Sequence, residues 1–122
     1  MTARMEIDFP GKVGLLNSDE LCYLSAVELA ERIRAKELSP VEVTAAVLER
    51  IERVNPALNA ICTSMAEEAR ATATRLEADL MRGEDIGPLG GVPVTVKDIV
   101  AVKDSRTTSG SKLFEEIGRA HG

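Results

Sequence analysis

Three Ser-x-x-Glu patterns constrain the first two-thirds of this chain more than any other feature. They are Ser25-Ala-Val-Glu28, Ser39-Pro-Val-Glu42 and Ser64-Met-Ala-Glu67. In such a capping box, the serine hydroxyl and the glutamate carboxylate each accept a backbone N–H that the first helical turn leaves unpaired. Apolar residues recur at helical spacing after each pattern. The sequence therefore predicts three helices, which begin at these serines.

The predicted ends of these helices follow from glycine, proline and the loss of the apolar pattern. The first helix is expected to reach about Lys36. Asn55-Pro56 is expected to stop the second, because the residue before a proline is pushed out of the helical region. The third is expected to end at Arg82, with Gly83 as its C-terminal cap. A short strand is predicted over Leu58 to Thr63.

After the third helix, the pattern changes from helical to β-type. Glycines and a proline within 83–91 predict turns, and the β-branched run Val92-Pro-Val-Thr-Val-Lys-Asp-Ile-Val100 predicts a strand that places Lys97 among small residues. A polar loop, Thr107 to Ser111, comes next, and Lys112 to Ile117 is expected to be a short helical segment. Helices followed by a buried-looking strand predict an α/β fold.

Composition and charge argue against several functional classes. The chain has 122 residues, 44% of them apolar, which is typical of one globular domain. A net charge of -5 argues against a nucleic-acid partner, which selects a basic surface. No run approaches the ~20 apolar residues of a membrane span, and the irregular arm predicted over residues 1–23 lacks the apolar core of a secretory signal. Cys22, Cys62 and the single His121 do not form a disulfide framework or a zinc pattern, so we expect no metal, no cofactor and a cytoplasmic location.

Lys97 has the surroundings that best suit chemistry, and two interpretations of it stay open. A lysine in a strand ordinarily faces solvent or guards a sheet edge against aggregation. Lys97, however, lies in an apolar run beside Asp98, with a Ser/Thr/Gly loop ten to fourteen residues further on. Burial disfavours the charged form of a lysine, and a neutral amine can take a proton from a hydroxyl nucleophile.

These residues carry a family resemblance. Gly87-Pro-Leu-Gly-Gly-Val-Pro-Val-Thr-Val-Lys-Asp98, followed by Thr107-Thr-Ser-Gly-Ser111, closely resembles the start of the catalytic domain in amidase signature enzymes. Upstream segments resemble that family's N-terminal helices in the same order; they are Leu24-Ser-Ala-Val-Glu-Leu29, Leu38-Ser-Pro-Val-Glu42 and Ile51-Glu-Arg-Val-Asn-Pro-Ala-Leu-Asn-Ala60. The resemblance covers about residues 24–111.

The resemblance implies a fold and a domain organisation. Residues 24–122 would be the N-terminal portion of an amidase domain, with helices over 25–82 and a strand and active-site loop region over 84–111. The family fold is an α/β/α arrangement around a large mixed sheet. This chain would hold its N-terminal helices and first strands, with Val92 to Val100 as an inner strand of an incomplete sheet.

The resemblance also implies a mechanism. In that family, the lysine of the Val-Lys-Asp motif acts through a cis-peptide serine on a serine nucleophile, which attacks a carboxamide and forms an acyl-enzyme. Lys97 matches that lysine, and Asp98 matches the neighbouring acid, for which a structural hydrogen-bonding role is inferred. The loop residues Thr108, Ser109, Gly110 and Ser111 are expected near the active site, where a small-molecule amide would bind.

The chain departs from the family at its nucleophile. The two serines belong to a later Gly-Ser-Ser-Gly-Gly-Ser type segment, and these 122 residues contain no Gly-Gly-Ser. The sequence therefore predicts an N-terminal amidase fragment that is inert alone and that comes from a truncated or frameshifted gene or from an incomplete gene model. The alternative is a non-catalytic helical interaction module or one piece of a split amidase. Exposed apolar surface would favour a homo-oligomer or a complementing C-terminal amidase fragment as partner.

Overall fold

The computed structural model describes residues 16–114, which divide into two compact units. The first comprises residues 16–58 and Met65–Pro93, and the second comprises Asn59–Ser64 and residues 94–114. The described residues form helices α1 (Ser18–Tyr23), α2 (Ala26–Arg34), α3 (Pro40–Leu58) and α4 (Ala66–Met81), followed by a 3-10 helix, Lys112–Phe114. Across residues 16–114, no helix has both the length and the apolar character that crossing a membrane requires.

Helix α1 corrects the prediction of an irregular arm over residues 1–23, of which 1–15 lie outside the described residues. Asn17 Oδ1 accepts the N–H of Glu20 at 3.0 Å, and the Glu20 carboxylate accepts the N–H of Asn17 at 2.9 Å. These two bonds form a capping box that begins with asparagine. Leu21 is buried, and α1 packs against α3. Tertiary packing thus stabilises a helix that is too short to persist alone.

Helix α2 confirms the first predicted capping box. The Ser25 hydroxyl accepts the N–H of Glu28 at 3.2 Å, and the Glu28 carboxylate accepts the N–H of Ser25 at 2.9 Å. The carboxylate also accepts the Ser25 hydroxyl at 2.7 Å. The hydrogen bonds to Ser25 hold the pKa of Glu28 below its ordinary value. This end of α2 is therefore fixed by local sequence alone.

Helices α2 and α4 end in the same left-handed turn. Lys36 follows α2 with φ 59°, and Gly83 follows α4 with φ 78°, so the predicted cap at Gly83 is confirmed. In each turn, the next N–H donates to the carbonyl five residues earlier, at 2.9 Å after α2 and 3.0 Å after α4. Glycine adopts this conformation without strain, whereas a lysine side chain costs about 1–2 kcal/mol there.

Helix α3 continues through the predicted stop, because Pro56 lies in its last turn. A proline there removes only one hydrogen bond, to the carbonyl of the preceding turn. The helix ends two residues later, where Asn59 takes a φ of 50°. The strand predicted over Leu58 to Thr63 is consequently wrong: Leu58 is helical, and residues 59–64 have no regular structure.

The third predicted capping box is not formed. Helix α4 begins at Ala66, so Met65 occupies the N-cap and makes no side-chain cap hydrogen bond. A start at Ala66 places Glu67 second in the helix, out of register with Ser64. Glu67 and Glu68 still favour this end, because their charges interact with the positive end of the helix dipole.

The core of the first unit joins three helices and the segment that follows them. Leu29 and Ile33 of α2, Val43 of α3 and Leu80 of α4 form its buried cluster, against which Leu24, Leu38, Ile86 and Val92 pack. Ile33 and Val43 have 0% exposure. Burying such a side chain contributes about 1.5–3 kcal/mol. The turn-rich segment after α4 therefore belongs to this core.

The serine half of the second predicted capping box forms, and it gains a partner from α4. The Ser39 hydroxyl accepts the N–H groups of Val41 and Glu42, at 3.1 and 3.2 Å, and donates to the Glu77 carboxylate. Ser39 and Glu77 are only 4% and 8% exposed. The hydroxyl thus caps the start of α3 and also connects α3 to α4, whereas Glu42 is exposed.

Two glycines of the family motif serve packing. A Cβ on Gly91, which has a φ of 83°, would lie 3.1 Å from Pro40 Cβ and 3.2 Å from Ile33 Cδ1. A Cβ on Gly90 would overlap the carbonyl oxygen and side chain of Ile86. The motif therefore requires glycine at these positions to close the segment onto the core of the first unit.

The strand predicted over Val92 to Val100 does not form. Residues 92–97 have no regular structure, 98–99 lie in a turn, and residues 16–114 hold helices with isolated bridge residues but no strand. The expected α/β sheet is therefore not observed in these residues. A strand needs a neighbour to pair its N–H and C=O groups. Val94 is accordingly 76% exposed and Val96 52%.

The short helical segment expected over 112–117 is confirmed to Phe114, beyond which residues 115–117 are not described.

Candidate functional site

Lys97 stands at the start of a turn in the second unit. Its carbonyl oxygen accepts the N–H of Val100 at 2.9 Å. Its side chain is exposed, which agrees with the solvent-facing one of the two interpretations, although the strand in which both placed Lys97 is absent. The missing strand accounts for this exposure, because neighbouring strands would supply the side chains that cover Lys97.

The loop predicted near the active site is a tight turn. Ser109 and Gly110 have φ values of 50° and 72°, and the N–H of Ser111 donates to the Thr108 carbonyl at 2.9 Å. Two successive positive φ angles are typical of a type I′ turn, in which glycine is favoured. The Ser111 hydroxyl then accepts the N–H of Leu113 at 3.3 Å and caps the 3-10 helix. The turn thus presents Thr108 on one side and starts a helix on the other.

The Asp98 carboxylate joins this turn to the one that carries Lys97. Its Oδ1 accepts the N–H of Thr108 at 2.9 Å, and its Oδ2 accepts the Thr108 hydroxyl and the N–H of Gly110, the latter at 3.3 Å. The Asp98 carbonyl accepts the N–H of Ser109, also at 3.3 Å. We call this set of bonds the Asp98 clamp. It agrees with the hydrogen-bonding role expected for Asp98.

The Asp98 clamp holds the carboxylate in its charged form. The hydroxyl of Thr108 lowers the pKa of Asp98 most, and the N–H groups of Thr108 and Gly110 and the charge of Arg106 act in the same direction. Partial burial opposes them by raising the pKa. Hydrogen bonds that favour an ionised carboxylate are stronger than those between neutral groups. Asp98 is therefore an ionised anchor in the second unit.

The structure brings together only some of the residues that the sequence singled out. Thr108 and Gly110 contact the Asp98 side chain, Ser109 contacts its backbone, and Ser111 caps the 3-10 helix instead. Sequence reasoning missed the role of Thr108 as the main partner of Asp98. A ten-residue separation hides this contact from rules that consider only neighbouring residues.

A metal centre is absent from the part of the chain that the structure describes. Residues 16–114 bring together no group of three or more His, Cys, Asp or Glu side chains that could hold an ion. Cys22 and Cys62 are free thiols, and burial raises the pKa of Cys22. His121 lies outside the described residues. Lys97, Asp98 and the 108–111 turn are thus the candidate site.

Comparisons with known proteins agree on one family. The sequence model of the family described as Amidase matches residues 42–119, which include Lys97, Asp98 and the turn. The chain is 47% identical over 96 residues to a glutamyl-tRNA(Gln) amidotransferase subunit of Carboxydothermus hydrogenoformans, covering 79% of this chain and 20% of that protein. It is 38% identical over 106 residues to the putative amidase AmiD of Mycobacterium tuberculosis, covering 87% and 22%.

A solved structure extends the likeness to the fold. The chain superposes on a bacterial aryl acylamidase of the amidase signature enzymes with a TM-score of 0.77 and 35% identity, covering 82% of this chain and 21% of the other. The chain therefore belongs to the amidase family. It spans about a fifth of the length of the relatives that it matches.

Proposed function

We propose that this chain supplies the lysine base of an amide hydrolase that cleaves carboxamide C–N bonds. One observation carries the proposal. Lys97 lies in Pro-Val-Thr-Val-Lys-Asp, inside the segment that the Amidase family model matches, next to an anchored aspartate. Positioned proton transfer of this kind contributes about 10²–10⁴-fold to a rate.

In the proposed mechanism, Lys97 accepts one proton and later gives it up. Its neutral amine accepts the proton that a serine nucleophile passes on through a second serine, while the nucleophile's oxygen attacks the amide carbon. The C–N bond then breaks, the departing amine takes the proton, and an acyl-enzyme remains for water to hydrolyse. Both serines belong to the Gly-Ser-Ser-Gly-Gly-Ser type segment of the family, which these 122 residues do not contain. The 122 residues alone are therefore expected to be inert.

The proposal includes the α/β/α sheet that the resemblance implies. Residues 92–100 would become an inner strand once the other strands are present. The exposed apolar side chains of this segment support this: Val94, Val96, Ile99 and Val100 are each more than half exposed. An inner strand buries both faces and pairs both edges, which would cover these side chains and Lys97 together.

An interaction module without catalysis is the second candidate. The same exposed side chains favour it, because contiguous apolar surface promotes association. The partner would be a second copy of the chain or a complementing C-terminal amidase fragment. Sedimentation velocity across a concentration series separates the two. Self-association supports the first, whereas a monomer that binds the separately produced remainder of a relative supports the second.

A hybrid enzyme tests the catalytic proposal. In it, this chain replaces the aligned fifth of the bacterial aryl acylamidase, and release of an aromatic amine from an aryl amide is followed. We expect hydrolysis that Lys97→Ala lowers by at least about 10²-fold. The matched control is Lys103→Ala, an exposed lysine of the same unit, which should retain activity. A folded hybrid without activity, or an active Lys97→Ala hybrid, refutes the proposal.

A further inference from the structure

The hydrogen bonds of the Asp98 clamp reach both the side chain and the backbone of residue 98. Its side chain accepts hydrogen bonds from Thr108 and Gly110, and its backbone carbonyl accepts one from Ser109. Thr108 is the only residue of the three that donates through both its backbone N–H and its side chain in the described network. Its hydroxyl also accepts the N–H of Gly110 at 3.3 Å, so it lies at the centre of the clamp.

The clamp acts on the neighbouring lysine through the backbone. Lys97 and Asp98 share a peptide group, and the Lys97 carbonyl is held by Val100 N–H at 2.9 Å. The side chain of Lys97 is exposed. The backbone at 97–98 is therefore the part of the described structure that positions the lysine, and Thr108 acts on it through two hydrogen bonds to the Asp98 side chain.

We propose that Thr108 is a positioning residue for Lys97, acting through the carboxylate of Asp98. This inference rests on the proposed function, in which Lys97 exchanges a proton with a serine. Such an exchange needs donor and acceptor within about 2.6–3.2 Å. A misplacement of about 1 Å can cost 10²-fold in rate. Loss of the Thr108 hydroxyl would leave Asp98 Oδ2 with only the longer bond from the N–H of Gly110, at 3.3 Å, and would allow a displacement of this kind.

The first test uses the 122-residue chain and needs no activity. Backbone ¹⁵N relaxation gives the order parameters of Lys97 and Asp98 in three variants, Thr108→Val, Thr108→Ser and Thr107→Val. Valine matches threonine in shape without the hydroxyl, and serine retains the hydroxyl. We expect order parameters near about 0.85 in the parent and the serine variant, and below about 0.6 in Thr108→Val. Thr107→Val is the control from the same loop and should resemble the parent.

The second test measures kinetics in the hybrid enzyme with the same variants. We expect Thr108→Val to lower kcat by about 10–100-fold. KM should change by less than about twofold, because a residue that positions Lys97 affects the proton transfer rather than the binding of substrate. Thr108→Ser should restore kcat to within about threefold of the parent. Serine restores the hydroxyl but not the methyl group, so rescue by Thr108→Ser assigns the loss of kcat to the missing hydrogen bonds of the hydroxyl rather than to a change in side-chain shape.

The outcomes distinguish the positioning role of Thr108 from the proposed function on which it rests. An active Lys97→Ala hybrid refutes the proposed function, whatever Thr108 does. A hybrid that requires Lys97 but is indifferent to Thr108→Val overturns the positioning role alone. Unchanged order parameters at Lys97 and Asp98 in Thr108→Val overturn it as well, even where the hybrid is inactive.

Discussion

Replacing Ser39 with alanine tests how a single hydroxyl connects two helices. The Ser39 hydroxyl caps α3 by accepting two N–H groups, and it donates to the buried Glu77 carboxylate of α4. Ser25 caps α2 with the same chemistry, but its carboxylate partner, Glu28, is exposed. The two serines therefore differ in burial, because both Ser39 and its carboxylate partner are buried, whereas Ser25 and Glu28 are exposed.

The expected destabilisation is the sum of two losses. Removing a serine N-cap costs about 0.5–2 kcal/mol. Leaving a buried carboxylate without its hydroxyl donor adds about 1–3 kcal/mol. Ser39→Ala should therefore lower the free energy of unfolding by about 1.5–5 kcal/mol. Ser25→Ala should lower it by only about 1 kcal/mol, because water can replace the hydroxyl at the exposed Glu28.

The assay is urea unfolding followed by far-ultraviolet circular dichroism, which reports on the helices. A double variant tests the second loss, the unpaired buried carboxylate, separately from the first. Methionine has nearly the shape of glutamate, so Ser39→Ala combined with Glu77→Met removes both polar partners and should recover the second loss, leaving a deficit close to that of Ser25→Ala. The reasoning is refuted where Ser39→Ala costs no more than Ser25→Ala, or where the double variant is no more stable than Ser39→Ala.

Three further predictions follow from local geometry. Gly91→Ala should lower the free energy of unfolding by more than Gly83→Ala, because both have positive φ but only Gly91 faces the core at 3.1 Å; equal losses in urea unfolding would contradict this. Lys36→Gly should stabilise the chain by about 0.5–1 kcal/mol by relieving its positive φ, and an unchanged or lower urea midpoint would oppose it. The pKa of Asp98 lies below its ordinary 3.8, so the clamp stabilises the fold above that pH and is lost as pH falls through the lowered value. The Thr108 amide proton shift should follow this transition, and a midpoint above 3.8, or one that persists in Asp98→Asn, would count against it.

Most of the helical part could be predicted from the sequence, because its signals are local. The boxes at Ser25 and Ser39 and the glycine after α4 mark their helix ends within a few residues. The same rule would have found α1 had Asn17-x-x-Glu20 been included, since asparagine caps a helix as well as serine does. It failed at Ser64, where the helix begins out of register with the box.

The candidate site was harder to predict, because its contacts are not local. Lys97 and the 108–111 turn come from one recognisable motif, yet nothing within three residues of Asp98 indicates that Thr108 binds its carboxylate. Ser39 and Glu77 are separated by 38 residues and show the same difficulty. A capping rule identifies the acceptor of a helix N–H, but not a second partner brought in by tertiary packing.

The missing strand shows why a β-type pattern differs in kind from a capping box. A box is satisfied within four residues, so it needs no distant partner, although the box at Ser64 does not form. A strand is completed only by other strands, because its N–H and C=O groups point away from its own chain. Residues 92–97 have the β-branched composition of a buried strand, yet they remain irregular, and 94–97 are exposed, in a chain that spans about a fifth of its relatives. The exposure of Lys97 follows from the same cause. Its burial, and with it any loss of charge, would depend on segments that lie apart in sequence, whereas the Asp98 clamp is already complete within residues 98–110.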